Sequence, residues 1–326
     1  MRRRTLLGLA GALPLVPVAA ALAQAPNWPT QPIRIVVPFA PGGPTDIPAR
    51  LLAEELGKTL PQRPVVENRT GAGVVVGTDV VAKAPTDGHT LLYTTISHAA
   101  LRAMFPRLPF DPVADLQPVA LVGVIPMLLM ANKDLPANSL QDLIRLYRDS
   151  PGKYDYGSSG NGTALHLSAE LFLRQAGGLK VSHVPYRGSA AAMPDLLNGT
   201  TTMMLDVANN TLPYVQRGEV KGLAVSSERR LPQLPEVPTF KEAGLPDYEA
   251  YTWHMVLAPK GTPEPVVGRI NAAINKVLAD QSVQKRLEDL AMQVRDDSTP
   301  ESAARWLQAE MAKWEPIIRE AGIKPD

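Results

Sequence analysis

Apolar runs of β-branched character recur along the chain at residues 33–37, 65–67, 90–95, 127–130, 181–184, 202–205, 223–226 and 254–258, and stretches with helical spacing separate them. Strands alternating with helices in this way predict an α/β fold with largely parallel sheets. The run Ile33-Arg34-Ile35-Val36-Val37 is apolar at nearly every position, the pattern of a strand buried on both faces. Helices are plainest near the C-terminus. Thr262-Pro263 offers a cap and a proline at the first helical position ahead of Val266, Val267, Ile270, Ile274 and Val277. Ser298-Thr299-Pro300-Glu301 repeats the signal ahead of Ala303, Trp306, Leu307, Met311 and Trp314, a stripe read as core, with Pro316 bending or ending the helix.

Two of the strand endings share a design. After Val37 the pair Gly42-Gly43 lets the backbone turn with its N–H groups uncovered, and Thr45 or Asp46 can cap a helix carrying Leu51, Leu52 and Leu56. Further on, Tyr154-Asp155-Tyr156 leads into Gly157-Ser158-Ser159-Gly160-Asn161-Gly162-Thr163, and then into a helix with Leu165, Leu167, Leu171 and Phe172. Uncovered N–H groups at a helix start attract anions. One such turn occurs in any α/β protein; two of them predict an anion site on each of two lobes, facing across a cleft around a small negatively charged molecule. Ser158, Ser159 and Thr163 carry hydroxyls suited to a bound carboxylate. His166, one turn into the second helix, is placed either to touch a ligand or to pack, and Asp206 either to point into the cleft or to cap the helix after it.

The lobes follow from the loops. Residues 132–139 read as loop, and the proline-rich stretch 231–238 as a long surface segment. A chain that leaves the first lobe near residue 128 and returns near 250 builds lobe 1 from 26–128 and 250–326 and lobe 2 from 129–249, with two crossovers acting as a hinge. About 300 residues exceed one ordinary hydrophobic core, which agrees with two lobes.

The N-terminus alters the expected location. Arg2-Arg3-Arg4, an apolar run over 6–22 and Ala21-Leu22-Ala23-Gln24-Ala25 make a signal peptide over residues 1–25, cleaved after Ala23 or Ala25. Arg3-Arg4-Thr5-Leu6-Leu7 suits a twin-arginine signal as well as a general secretory one. Either route places the mature chain outside the cytosol, and no later run reaches the ~18 apolar residues of a membrane span. The chain has no cysteine, which excludes disulfides, thiolate catalysis and a lipid-anchored N-terminal cysteine. A net charge of +1 with interspersed signs argues against nucleic acid and a polybasic membrane surface.

Three motifs invite chemistry and fail in detail. Gly71-Ala72-Gly73-Val74-Val75-Val76-Gly77 has valine where a dinucleotide fingerprint needs its third glycine. Gly157-Ser158-Ser159-Gly160-Asn161 approaches a nucleophile elbow with asparagine at its last position, which leaves a secreted α/β hydrolase using Ser159, with Asp206 and His254, as the rival to a binding protein. The histidines at 89, 98, 166, 183 and 254 show no metal-binding spacing. No cofactor or metal is expected.

Several stretches together resemble the periplasmic solute-binding proteins of tripartite tricarboxylate transporters, the Bug-type receptors. They are Val37-Pro-Phe-Ala-Pro-Gly-Gly-Pro-Thr-Asp46, Tyr156-Gly-Ser-Ser-Gly-Asn-Gly-Thr163 with His166-Leu167, Val184-Pro-Tyr-Arg-Gly188 and Asp195-Leu-Leu-Asn-Gly199. Leu223-Ala-Val225, Pro235-Glu-Val-Pro-Thr239, Glu242-Ala-Gly-Leu-Pro246 and Ala258-Pro-Lys-Gly-Thr-Pro263 continue the match over essentially the whole mature chain. The resemblance implies a two-lobe periplasmic binding protein fold, type II-like, with two crossover hinge segments, in a monomeric receptor that passes a small carboxylate to membrane permease subunits or a sensor. It implies a ligand carboxylate held by the loops that carry Phe39, Gly42, Gly43, Thr45 and Asp46 and by Ser158, Ser159, Gly160, Thr163 and His166, with Ser97 and Asp206 choosing the rest of the molecule.

Overall fold

The computed structural model describes residues 28–325; the expected signal peptide lies outside them. In chain order the elements are β1 (Arg34–Val37), α1 (Asp46–Thr59), β2 (Val65–Asn68), α2 (Val75–Ala82), β3 (Thr90–Thr94), α3 (Ser97–Met104) and β4 (Leu116–Asn132). There follow α4 (Leu140–Asp149), β5 (Asp155–Ser158), α5 (Ala164–Gln175), β6 (Ser182–Pro185), α6 (Ser189–Asn198), β7 (Met203–Val207), α7 (Ala208–Gln216) and β8 (Val220–Val225). The chain ends with β9 (Tyr251–Pro259), α8 (Glu264–Leu278), α9 (Gln281–Glu288), β10 (Gln293–Val294) and α10 (Pro300–Glu320).

Strand order along the sheet is β2-β1-β3-β9-β4-β7-β5-β6, with β8 and β10 also on β4. The expectation of largely parallel sheets holds only at the flanks. β1 pairs in parallel with β2 and β3, and β5 with β6 and β7, but every pairing of β4 and β9 is antiparallel. The reason is the double crossing. β4 carries the chain out of one parallel group and β9 brings it back, so both run against their neighbours.

β4 is the frame. Its first part, Leu116 to Pro126, pairs with β9, and its second part, Met127 to Asn132, pairs with β7 and β8. Only residues 127–130 of it were legible as strand, because Pro118, Gly123 and Pro126 interrupt the apolar run. The ladder absorbs Pro118 and Gly123 by shifting register between Pro118 and Ala120 and again between Leu121 and Gly123, while Pro126 stands at the last pair with β9. Buried side chains line nearly its whole length.

The expected cap at Thr262 needs correction, and of the two outcomes expected at Pro316, ending the helix is excluded. Thr262 does not cap α8: its hydroxyl turns back to the carbonyl of Pro259, and Pro263 occupies the cap position. α10 runs through Pro316 to Glu320, since Ile317 and Ile318 beyond the proline are buried against the core. Thr299 caps α10 in a reciprocal pair with Ser302, as its sequence predicted. Two indoles fix α10 to the crossing strand, because Trp253 of β9 and Trp314 of α10 both donate to Glu310 Oε2, each at 2.8 Å.

Where the chain crosses, one hydroxyl ties both passages together. Buried Ser226, just after β8, accepts the N–H of Met127 at 2.8 Å and donates to the carbonyl of Ala250 ahead of β9. Replacing it by alanine strands two buried backbone groups. Ser226→Ala should therefore lose about 1–3 kcal/mol of stability, read as a lowered urea midpoint at unchanged slope; an unmoved midpoint would show that water replaces the hydroxyl at no cost.

Candidate functional site

The carboxyl ends of β1, β3, β5, β6 and β7 open on one cavity of about 550 Å³, and the helix that follows each strand starts at its wall. Crevices of this kind are the usual ligand sites of open α/β sheets. The β1–α1 loop contributes Phe39, Gly42, Gly43 and Thr45, and the start of α3 contributes Thr95 and Ser97. From the opposite side come Ser159, Thr163, Ala164 and Leu165 of the β5–α5 turn. Arg187, Gly188 and Ser189 lead into α6, Asp206 and Asn210 flank the start of α7, and Tyr214 lies in its last turn. Thr252 of β9 adds a hydroxyl from the crossing strand. Helix starts concentrate partial positive charge, so the cavity favours an anion before any side chain is counted.

The first loop is shaped by an internal carboxylate. Asp46 does not cap α1 and does not line the cavity; it is buried beneath the loop, accepting from Gly42 N–H at 2.8 Å, Arg50 Nε at 2.7 Å and Asn68 Nδ2 at 2.8 Å. Asn68 also donates to the carbonyl of Phe39, tying the loop to β2. Burial alone would raise the Asp46 carboxyl, but the bonds from Arg50, Gly42 and Asn68 outweigh it and hold the group below the usual carboxylate range. The N–H groups of Asp46 and Ile47 both bond to the carbonyl of Gly43, and Pro48 has none. Beside that bend, Gly43 and Thr45 have N–H groups with no backbone bond among the described residues, as do Phe39 and Ala40 earlier in the loop.

The second loop is held from behind by histidines. Ser158 is fully buried and shares a 2.6 Å hydrogen bond with His183 Nε2, and the Gly160 N–H donates to its hydroxyl. His166 is buried too, stacked on His183 with ring centroids 3.8 Å apart, and its Nδ1 accepts the Gly162 N–H at 3.2 Å. Burial, reinforced by the neighbouring His183, pushes His166 down to about 3, so it is neutral and serves as an acceptor for the turn. Ser158, Gly160 and His166 thus stand behind the cavity wall. Ser159 and Thr163 face it. Gly162 has to be glycine here, since its φ is +67° and a Cβ would lie 1.9 Å from Met104 Sδ of α3 on the opposite side.

The hydrolase arrangement is not assembled. Ser159 Oγ donates to Thr163 Oγ1 at 2.9 Å, and Thr163 passes the bond to the carbonyl of Gly160. His254 lies fully buried in the core beside Tyr93, with neither ring nitrogen hydrogen-bonded among the described residues. Burial pushes it down to about 3. Asp206 does not cap α7, whose cap position is Val207; it accepts the Val207 N–H at 2.6 Å just ahead of the helix, and takes the hydroxyl of Ser189 and the side chain of Asn210. Among the described residues no group of histidine and carboxylate side chains could hold a metal ion, and no helix is long and apolar enough to cross a membrane.

Arg187, Ser189, Asn210 and Thr252 were not singled out from the sequence as site residues. Arg187-Gly188-Ser189 follows an apolar run and opens a helix, a third copy of the same turn, and that signal was available. Nothing local marks Thr252, which reaches the cavity only because β9 lies beside β3.

Residues 48–323 match a family described as the tripartite tricarboxylate transporter family receptor. Among solved structures, the chain is similar to the periplasmic binding protein BugD, with 35% identity and a TM-score of 0.80 over 91% of this chain and 100% of that one. It is similar to Rpa4515 of R. palustris with adipate, at 36% identity and TM-score 0.82 over 91% and 99% of the two chains. It is also similar to MatC of Rhodopseudomonas palustris with bound malate, at 36% identity and TM-score 0.79 over 89% and 100%. The fold is the two-lobe fold of these periplasmic binding proteins.

Asp206 should also mark the pH dependence of stability. Burial raises its carboxyl from 3.8 to about 6 against the opposing bonds from Ser189, Val207 and Asn210, so the native state holds this proton more tightly than the unfolded chain does. Its contribution is then full below pH 3.8 and is lost as pH rises through 6. The stability of the wild type minus that of Asp206→Asn should fall by up to about 3 kcal/mol between pH 4 and 7, measured from urea midpoints at each pH. A flat difference would mean the carboxyl titrates as in water.

Proposed function

The chain belongs to the tripartite tricarboxylate transporter receptor family, and we propose that it captures one end of a small carboxylate between its two lobes and delivers the molecule to the membrane permease of such a transporter. Members of the family and their structural neighbours are substrate-binding proteins, not enzymes. The observation that carries the carboxylate reading is the pair of facing turns. Gly43 and Thr45 offer N–H groups from one side, and the first turn of α5 offers those of Ala164 and Leu165 beside the hydroxyls of Ser159 and Thr163 from the other. Adipate and malate in two neighbours of 36% identity support the same class of ligand. Export to the periplasm is supported by the basic and then apolar leader over residues 1–25. One chain supplies every wall of the cavity, which favours a monomeric receptor.

The loop carrying Gly43 tolerates a direct test. A Cβ at Gly43 would sit 3.4 Å from its nearest neighbour, the Ala40 carbonyl, in ordinary contact and with no left-handed backbone to strain. Gly43→Glu should keep the melting temperature within a few degrees while abolishing the calorimetric heat of whichever mono-, di- or tricarboxylate stabilises the wild type in a thermal-shift screen. Unchanged affinity in a folded Gly43→Glu protein removes this loop from the site.

We take lobe 1 as residues 26–128 with 250–326 and lobe 2 as 129–249, a division supported by the change of partners along β4 between Pro126 and Met127. The two turns then lie on different lobes, and a ligand that touches both favours the closed arrangement by its differential contact. A saturating carboxylate should lower the radius of gyration in solution scattering. An unchanged curve with a ligand proven by calorimetry would mean that binding needs no closure.

A further inference from the structure

The wall of the cavity opposite β1 contains a carboxylate that no cation neutralises. Asp206 is fully buried, and no lysine, arginine or histidine forms an ion pair with it among the described residues. Its oxygens are occupied by the Val207 N–H, the Ser189 hydroxyl and the Asn210 side chain. It borders the cavity with no solvent-exposed surface, and its oxygens are engaged by Ser189 and Asn210, both half-buried and both lining the cavity, so these two present its charge to a ligand. A serine hydroxyl has a single proton. Burial raises Asp206 only to about 6, so at neutral pH the carboxylate has no proton to give and Ser189 must be the donor of the pair. The oxygen that Ser189 turns to the cavity is left with lone pairs alone.

Resting on the reading that a ligand carboxylate is gripped by the turns before α1 and α5, we propose that Asp206 is a positioning residue that fixes Ser189 Oγ as an acceptor, so the ligand end meeting α6 must carry a hydrogen-bond donor, an ammonium or a hydroxyl. A second ionised carboxylate at that position would face oxygen lone pairs with a buried negative charge behind them. A donor would complete the chain from ligand to Ser189 to Asp206. Asparagine in place of Asp206 changes the sense of the contact without changing its shape: its amide can donate to Ser189 Oγ and free the hydroxyl proton to point into the cavity.

The test uses acids matched in carbon number and differing at one end: succinate with 4-aminobutanoate, glutarate with 5-aminopentanoate, adipate with 6-aminohexanoate. Each is titrated calorimetrically at pH 7.5 into the wild type, Asp206→Asn and Ser189→Ala. In the best-bound pair the wild type should prefer the amino acid by about tenfold or more, the scale of one mismatched buried hydrogen bond. Asp206→Asn should cancel or reverse that preference while still binding, and Ser189→Ala, with no acceptor at the position, should bring the ratio near one. A merely structural role for Asp206 would weaken both members of a pair together and leave their ratio unchanged. A wild-type ratio near one, a preference for the diacid, or a ratio unmoved in either variant overturns the inference while leaving the carboxylate grip intact. Should none of the six acids bind the wild type, the carboxylate reading falls and this inference falls with it.

Discussion

A single strand that serves two sheets at once is the constraint on which the rest depends. β4 is bonded to β9 over its first part and to β7 and β8 over its second, so the two parallel groups are joined by continuous, buried backbone. Such a strand has its polar groups satisfied on both sides only if the returning chain lies beside it. β9 meets that need up to Tyr251 opposite Pro126, and Ser226 bonds the N–H of Met127 just past it. At the crossing that hydroxyl adds to the backbone bond from Ser226 N–H to the Met127 carbonyl and to the pairing of Met127 with Val207.

On each side of that crossing the parallel strands end in helix starts, and the molecule deals with the accumulated positive ends in two ways. At some it places its own carboxylate. Asp46 satisfies Gly42 from beneath α1, and Asp206 sits between the starts of α6 and α7. At others it leaves the N–H groups uncovered, as at Gly43, Thr45 and the first turn of α5. An anion in the cavity therefore meets uncovered N–H groups at Gly43, Thr45 and the first turn of α5, and a fixed negative charge between the starts of α6 and α7. The distinction between an anion-binding turn and a self-satisfied one lies in where an aspartate side chain is directed.

That distinction explains what was legible in the chain and what was not. The glycine turns, the buried strands and the cap at Thr299 are local signals, carried by residues a few positions apart, and the fold places them where those signals pointed. Asp46 reads as a ligand-facing or capping residue until Asn68 is known to stand beside it, and only the pairing of β1 with β2 brings Asn68 there. Ser158 and His166 face the same difficulty, since the group that draws them inward, His183, comes from the neighbouring strand β6. The N-terminal part of β4 is not legible locally because prolines normally exclude central strands, and the register shift that admits Pro118 is set by the partner strand.

A grip made of backbone N–H groups recognises a carboxylate without recognising the molecule that bears it, since any carboxylate presents the same two oxygens. On the proposed reading discrimination comes from the other side chains that line the cavity, and these are polar groups with little charge: Ser97, Ser189, Asn210 and Thr252, with Arg187 exposed. Neutral hydroxyls discriminate only when their protons are fixed, because a free rotor can donate to one ligand and accept from another. Ser159 and Thr163 are fixed by the carbonyl of Gly160 at the end of their chain, and Ser189 by Asp206. Change of ligand within such a scaffold therefore requires no new pocket. On the proposed reading, altering the buried group that sets the direction of one hydroxyl turns an acceptor into a donor, while the double-crossed frame and the proposed carboxylate grip stay as they are.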